Sequence, residues 1–419
     1  MELKITDMRA QSVQANFEWT FVKIYAGDLY GVGEAGHAPG LIGMLPSFKK
    51  LLIGEDALKI RRIEQKLRWA THYSGTTTYH MISAINIALY DLVGKYLNIP
   101  IWKLIGGYRD RVRVYVDAHG GKGLEAMNSL AMPVKPAWLN DTRIEKDRVV
   151  SMSNPIHGRL SIEKWNEDYS PSAYATRAKE MIEEGFTAIK FDLDVPTPYT
   201  DPTLIMSGEL SLKDVDYLAS LVRAAREAAG DGVDLMFDLH WRYNINTAAR
   251  ICKAIEPYRP RWIEDPVPAQ MTISNLDEYR LLTQLCQVPI ETGENMYTVY
   301  QFKDLLGTGV RVWAPDLAKA GGIGEGIRIA DLASMYDIEL SPHNIGSPIA
   351  TMAHAHMASM ANTFGVLEFH GHDVPFWNNI IKPRRPLISK GFIELSDEPG
   401  LGIDLDIDEM RKIWPEFEL

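Results

Sequence analysis

Asp238, Glu264 and Glu294 end short apolar runs, in "FDLH", "WIEDP" and "TGEN", at intervals of 26 and then 30 residues. Each interval is about one strand–helix–strand crossover, so three neighbouring parallel strands would aim three carboxylates at one point. Without a counter-charge they would repel, and some would take up protons. A hard divalent cation such as Mg2+, its octahedron completed by water and substrate oxygens, resolves that conflict. A helix cap or an arginine partner would explain any single acid, but the common register favours the metal. His343 closes "IELSPH" and Asp316 closes "VRVWAPD" one run earlier. A carboxylate beside an imidazole fixes its tautomer and raises its basicity, as a general base requires.

Asp238 and His240 are two positions apart, so they share one face of a strand, and His240 projects over the same cavity. It serves there as a second acid–base group or as a support for the metal ligands. Lys190, in "FTAIKFD", binds a substrate carboxylate or pairs with Asp192. Glu368, in "GVLEFH", stands beside an enolate oxygen or is a structural acid at the rim.

Elements that would position these groups are legible from residue 111 onward. Eight β-rich runs alternate with helix-period segments, ending near Asp117, Lys190, Asp238, Glu264, Glu294, Asp316, His343 and Glu368. Such alternation predicts an α/β fold, a (β/α)8 barrel, with its chemistry at the C-terminal ends of the strands. Ser170 and Pro171 start one crossover helix, whose Tyr174, Ala178, Met181 and Ile182 share a face before Gly185 stops it. Leu218, Leu221, Val222 and Ala225 do the same between Asp214 and Gly230. In an eight-stranded barrel the third and seventh strands are opposite each other, which sets His240 across from His343.

Residues 1–110 read as antiparallel strands followed by helices, and 375–419 return to strand and turn signals, so both ends would form one α+β cap around a barrel at 111–374. Two segments interrupt the rhythm, Lys122 to Tyr169 and Val195 to Leu210; long loops in a compact domain are commonly functional. "AGGIGEGI" lacks a P-loop lysine and reads as a tight turn after the sixth strand.

Composition narrows the function class. With 46% hydrophobic and 24% charged residues among 419, the chain reads as a globular protein, and it contains no apolar run of membrane-spanning length. The net charge of -11 argues against nucleic acid as a partner. The N-terminal segment alternates like a strand and has no secretory signal pattern. Cys252 and Cys286 read as isolated core thiols, which excludes a disulfide framework and suits a reducing cytoplasm.

Taken together, "AINIALYDLVGKYLNIPIWKLIGG", "FDLH", "IEDP", "TGEN", "PDLAKAGGIGEG", "SPHN", "LEFH" and "PGLGIDLD" resemble the enolase superfamily, specifically its mandelate racemase-like branch. The resemblance implies that Asp238, Glu264 and Glu294 bind Mg2+, that Asp316 and His343 form the basic dyad and that Glu368 stands beside the intermediate. It implies proton abstraction α to a carboxylate, and, since relatives commonly self-associate, a homo-oligomer.

Departures from the pattern select the branch. Racemases of this group carry Lys-x-Lys where this chain has Lys190-Phe191-Asp192, and epimerases with a sixth-strand lysine carry it where this chain has Asp316. Asp238-x-His240 instead resembles sugar-acid dehydratases. His343 would take the C2 proton and His240 protonate the leaving C3 hydroxyl, giving a 2-keto-3-deoxy acid; the alternative is a racemase or epimerase of a hydroxy acid. His119, Arg242, Asn244, His372 and Trp377 are candidate contacts for the hydroxyls of a small sugar acid.

Overall fold

The computed structural model describes residues 2–119, 165–205, 207–268 and 276–419. Most of the Lys122–Tyr169 insertion therefore lies outside the described residues.

The N-terminal part opens with an antiparallel meander, β1 (Asp7–Gln14), β2 (Glu18–Ala26) and β3 (Leu29–Ala35). Helices α1 (Leu41–Leu52), α2 (Ile60–Thr71), α3 (Thr77–Leu97) and α4 (Ile101–Leu104) follow. α3 is buried over most of its length and lies directly on β3. Gly31 and Gly33 make that approach possible, because a Cβ at either would overlap the α3 backbone at Ala88 and Ala84. The apolar faces of α1, α2 and α3 close around Met8, Val22 and Ile24 as a core separate from that of the barrel.

The barrel strands are β4 (Arg111–Asp117), β5 (Ala188–Asp192), β6 (Asp234–Asp238), β7 (Trp262–Glu264), β8 (Ile290–Thr292), β9 (Val312–Trp313), β10 (Glu339–Leu340) and β11 (Leu367–Phe369). Consecutive strands from β4 to β10 pair in parallel, and β11 pairs back onto β4. A parallel bridge between Leu340 and Phe364 closes the ring between the last two strands.

Between them run α5 (Pro171–Glu183), α6 (Pro202–Ile205), α7 (Leu212–Ala229), α8 (Ile245–Ile255), α9 (Asp277–Leu285), α10 (Thr298–Asp304), α11 (Leu317–Ala320), α12 (Ile323–Met335) and α13 (Pro348–Ala358). Ser170 caps α5 by accepting from the Ala173 amide, and Ser211 with Asp214 forms a capping box on α7. The faces expected on these two helices are inward, except that Ile182 is only half-buried.

Period-two alternation sorts each strand. Outward residues such as Val114, Ile189, Phe191, Phe237, Ile263 and Trp313 pack against the helices, each contributing ~1.5–3 kcal/mol on full burial. Inward, Tyr115, Ala188, Met236, Trp262, Val312 and Val366 fill the lower barrel. One step higher on the same faces come Asp117, Lys190, Asp238, Glu264 and Glu368, so an apolar floor supports a ring of charge.

The C-terminal segment contains β12 (Ile381–Lys382), β13 (Ile388–Ser389), β14 (Phe392–Glu394), β15 (Asp404–Leu405) and α14 (Ile407–Ile413). β14 adds antiparallel to β4, while the last residues return to the meander: Trp414 donates to the Gln14 carbonyl and Lys23 to the Leu419 carbonyl.

Cys252 and Cys286 are not the isolated thiols expected from the sequence. Cys252 and Cys286 are buried, as core residues should be, but a disulfide joins them. A sequence separation of 34 conceals that α8 and the end of α9 are neighbours around the barrel. Among the described residues no helix is long and apolar enough to cross a membrane.

Candidate active site

β6 and β7 hold Asp238 and Glu264 side by side, for these two residues are register partners on adjacent strands. Both are buried. The His240 amide donates to Asp238 Oδ1 at 2.8 Å and fixes that carboxylate. Glu294 lies past β8, beyond Gly293, whose φ of 133° turns the chain back over the barrel mouth. Ligand atoms of Glu264, Asp265 and Glu294 lie within 4.8 Å of one another. Asp265 follows the last residue of β7 with a φ of 40°, and its Oδ1 accepts from the hydroxyls of Thr292 and Tyr279; it braces the turn after β7.

Asp238 is joined to this group through Lys190. The ammonium lies 2.8 Å from Glu264 Oε2, 3.3 Å from Asp238 Oδ2 and 2.6 Å from Glu368 Oε1, with Asp117 Oδ2 at 3.7 Å. Of the two partners read from the sequence, Asp192 is therefore not the one; three barrel carboxylates hold Lys190. Burial alone would lower its pKa, but Glu264 and Glu368 overcome this and raise it well above the usual lysine range.

Could these residues hold a metal? Glu264 Oε1 is buried without a hydrogen-bond partner, an arrangement unfavourable in an apo site and natural for a ligand oxygen. Burial, then the Asp238 charge, pushes the Glu264 carboxyl well above its ordinary pKa. A donor set of carboxylate oxygens suits a hard divalent cation, so Asp238, Glu264 and Glu294 fit the group expected of them.

The dyad is formed. His343 Nδ1 lies 2.9 Å from Asp316 Oδ2, across the gap from β9 to β10. Asp316 Oδ1 accepts from the Ala318 amide at the start of α11, and the Leu317 amide donates to His354 Nε2 beside it. With Nδ1 committed to Asp316, His343 Nε2 faces the mouth, 3.4 Å from Glu294 Oε2 and 3.8 Å from Glu368 Oε2. Burial depresses the His343 pKa, but Glu294, Glu368 and Asp316 outweigh it and the pKa lies above the ordinary imidazole value. Glu368 is itself pinned, its Oε2 accepting from the Asn344 amide at 2.6 Å.

His240 stands on the third strand end, with Nδ1 3.1 Å from Asp194 Oδ1 and Nε2 3.5 Å from Asp238 Oδ2. Burial opposes its charge; Asp238 and Asp194 restore it and raise the pKa well above the ordinary value. Its backbone φ of 37° and that of Trp241, 57°, fall in the left-handed region, a sparsely occupied conformation that the surrounding structure must hold in place.

Of the other residues read as hydroxyl contacts, Asn244 caps α8 and also donates to the Ser207 carbonyl. Trp377 donates to the Gly346 carbonyl, and His372 sits between Glu184 and Asp373. Each of these three polar side chains already has a partner within the protein. Arg242 donates to the Asp194 carbonyl and supports the partner of His240.

Sequence reasoning passed over several members. Lys319 is buried, its ammonium 3.1 Å from Asn295 Oδ1, 3.5 Å from Glu294 Oε1 and 3.7 Å from Asp316 Oδ2, between the acids that fit a metal and the His343–Asp316 pair. Glu291 faces the barrel interior with both oxygens unpaired, and burial pushes its pKa well above the ordinary value. Asp194 is the carboxylate behind His240. Asp117, read as a strand end, and His119, read as a hydroxyl contact, repeat the Asp-x-His spacing of Asp238 and His240 at the first strand end.

Known proteins share this arrangement of two parts. The enolase C-terminal domain-like family pattern matches residues 173–410, and the mandelate racemase / muconate lactonizing enzyme N-terminal domain pattern matches residues 4–106. A protein named D-xylonate dehydratase from Haloferax volcanii is 33% identical over 100% of this chain and 90% of its own length. One named D-galactonate dehydratase from Verminephrobacter eiseniae is 26% identical over 96% of this chain and 92% of its own. The crystal structure of a mandelate racemase/muconate lactonizing enzyme-like protein from Rubrobacter xylanophilus superposes with a TM-score of 0.83 at 32% identity, covering 100% of this chain and 98% of that one.

Proposed function

The chain belongs to the mandelate racemase / muconate lactonizing enzyme family of the enolase superfamily, and from that premise we propose that it is a Mg2+-dependent sugar-acid dehydratase. Its substrate is an aldonate, the class named for the two curated relatives. Asp238, Glu264 and Glu294 would hold the metal. When bound, Mg2+ supplies positive charge where negative charge develops on the substrate carboxylate as C2 loses its proton.

This chain's own residues do the rest. Lys190, set among Asp238, Glu264 and Glu368, adds a second positive charge beside the substrate carboxylate. His343 Nε2 removes the C2 proton, while Asp316 holds Nδ1 and stabilises the imidazolium that forms. His240, whose pKa Asp238 and Asp194 raise, gives its proton to the C3 hydroxyl, which leaves as water. The enol that remains tautomerises to a 2-keto-3-deoxy acid. Glu368, held by Lys190 and the Asn344 amide, borders the reacting carboxylate.

The observation that carries this reading is the pair of imidazoles on the third and seventh strand ends, each held by its own carboxylate, on opposite sides of the acidic centre. Purified protein with Mg2+ should convert at least one four-, five- or six-carbon aldonate or aldarate to a 2-keto-3-deoxy acid, and His343→Asn and His240→Asn should each abolish it. Exchange of the C2 proton with solvent in the wild type, with no loss of water from any acid, would replace dehydration by epimerisation.

A further inference from the structure

His119 repeats at the end of β4 the placement of His240 at the end of β6, two residues after an inward aspartate. It is 1% exposed and its φ is 56°, again in the left-handed region. Nδ1 lies 3.4 Å from Asp117 Oδ1 and 3.8 Å from Asp192 Oδ2. Nε2 is buried and has no hydrogen-bond partner.

Two acceptors in the same cluster are also unpaired, Asp192 Oδ1 and Asn16 Oδ1. Asn16 reaches in from the turn between β1 and β2, its Nδ2 donating to His370 Nδ1 at 3.0 Å, and the His370 ring packs 4.5 Å from that of His119. Buried polar groups normally find partners. An unpaired donor and two unpaired acceptors within one buried cluster are the complement of an alcohol, whose hydroxyl both accepts and donates.

The cluster borders the acidic centre, because Asp117 Oδ2 is 3.7 Å from Lys190 Nζ. It is also as buried as the groups assigned to chemistry, Asp238 at 1% and His343 at 4%. Asp117, His119 and His370 stand close enough to surround a cation. That use is disfavoured, for Lys190 already supplies positive charge at Asp117.

We propose that His119, with Asn16 and Asp192, is a specificity subsite for one hydroxyl of the sugar-acid chain beyond C3, the His119 Nε2–H donating to the hydroxyl oxygen and an unpaired oxygen of Asp192 or Asn16 accepting its proton. The subsite rests on the sugar-acid reading given above and assigns one wall of the site to substrate selection. Burial would push the His119 pKa down, but Asp117 and Asp192 hold it up to about 9, so Nε2 carries a proton at neutral pH and serves as a donor. Asn16 belongs to the N-terminal part, so the contact of that part with the barrel completes the subsite.

The test compares wild type, His119→Phe, His119→Gln and Asn16→Ala on the best aldonate and on its 4-deoxy and 5-deoxy analogues. Both kcat/KM and the binding of each acid by calorimetry are measured in Mg2+. In the wild type, removal of one of these hydroxyls should cost roughly 10- to 100-fold, the worth of a hydrogen bond to a charged donor. His119→Phe should lose that factor on the full aldonate and match the wild type on the sensitive deoxy acid, with His119→Gln in between. Asn16→Ala should show the same selectivity more weakly, and it supplies the test if His119→Phe does not fold. Equal losses by the variants on all three acids would assign His119 a purely structural role and overturn the subsite while leaving the dehydratase intact. A wild type that neither binds nor converts any sugar acid would overturn the dehydratase reading itself, and the subsite with it.

Discussion

Glu34 offers a quantitative test of how the N-terminal part is fastened to the barrel. It lies on β3, is 1% exposed, and accepts at the first turn of α13 from the Ser347 amide at 2.9 Å, the Ala350 amide at 3.0 Å and the Ser347 hydroxyl. Burial raises its pKa, the hydroxyl and the two amides lower it, Asp316 adds to the rise, and the balance carries it from 4.5 to about 7. Below pH 4.5 folded and unfolded chains both hold the proton, so the group's stability contribution is fully present. Between pH 4.5 and 7 the unfolded chain releases the proton while the folded one keeps it, and stability falls as pH rises.

At about 1.4 kcal/mol per pKa unit the total loss is roughly 3 kcal/mol. Glu34→Gln cannot titrate. It should begin about 1–3 kcal/mol less stable at pH 5, because its amide offers one acceptor where the α13 amides need two. Urea unfolding followed by tryptophan fluorescence at pH 5, 6, 7 and 8 should then show the difference move by about 2.5 kcal/mol in the variant's favour toward pH 8, closing or reversing the deficit. Parallel wild-type and variant curves across this range would refute the reasoning, since Glu34 would then titrate as an ordinary surface acid.

His343→Asn should remove both product formation and C2 proton exchange, by about 10^2–10^4-fold, whereas His240→Asn should abolish water loss and retain exchange, as read by NMR in deuterium oxide. Asp316→Asn should move the acidic limb of the kcat/KM profile to lower pH: the base must be neutral, the profile falls as pH drops through a His343 pKa held above 6.5, and loss of the carboxylate lowers that pKa. Chelation should abolish turnover and added Mg2+ restore it, while Glu264→Gln should weaken Mg2+ binding measured by calorimetry. Leu218→Ala, which empties a fully buried site on α7, should cost about 2–5 kcal/mol, seen as a lower Tm with kcat unchanged at 25 °C.

Strand ends were legible because a barrel strand must be apolar until it reaches the mouth. The break of that pattern at Asp238, Glu264, Asp316 and His343 is a one-dimensional signal. Helix faces and caps, as at Ser170 and Ser211, are equally local. The sequence by itself therefore determined the βα alternation, the two flanking segments and the groups that end the strands.

Which of those groups meet was a tertiary decision. Lys190 and Glu368 are 178 residues apart, and they touch because β11 closes the ring onto β4. Lys190 chose Glu264 and Glu368 over the nearby Asp192 because alternation and closure bring three carboxylates to its ammonium, while Asp192 answers His119. Cys252 met Cys286, Asn16 met His370, and Glu34 met the start of α13 for the same reason. Each contact joins elements whose distance in sequence says nothing of their distance in space, and a ring of parallel strands sets that distance by register and closure.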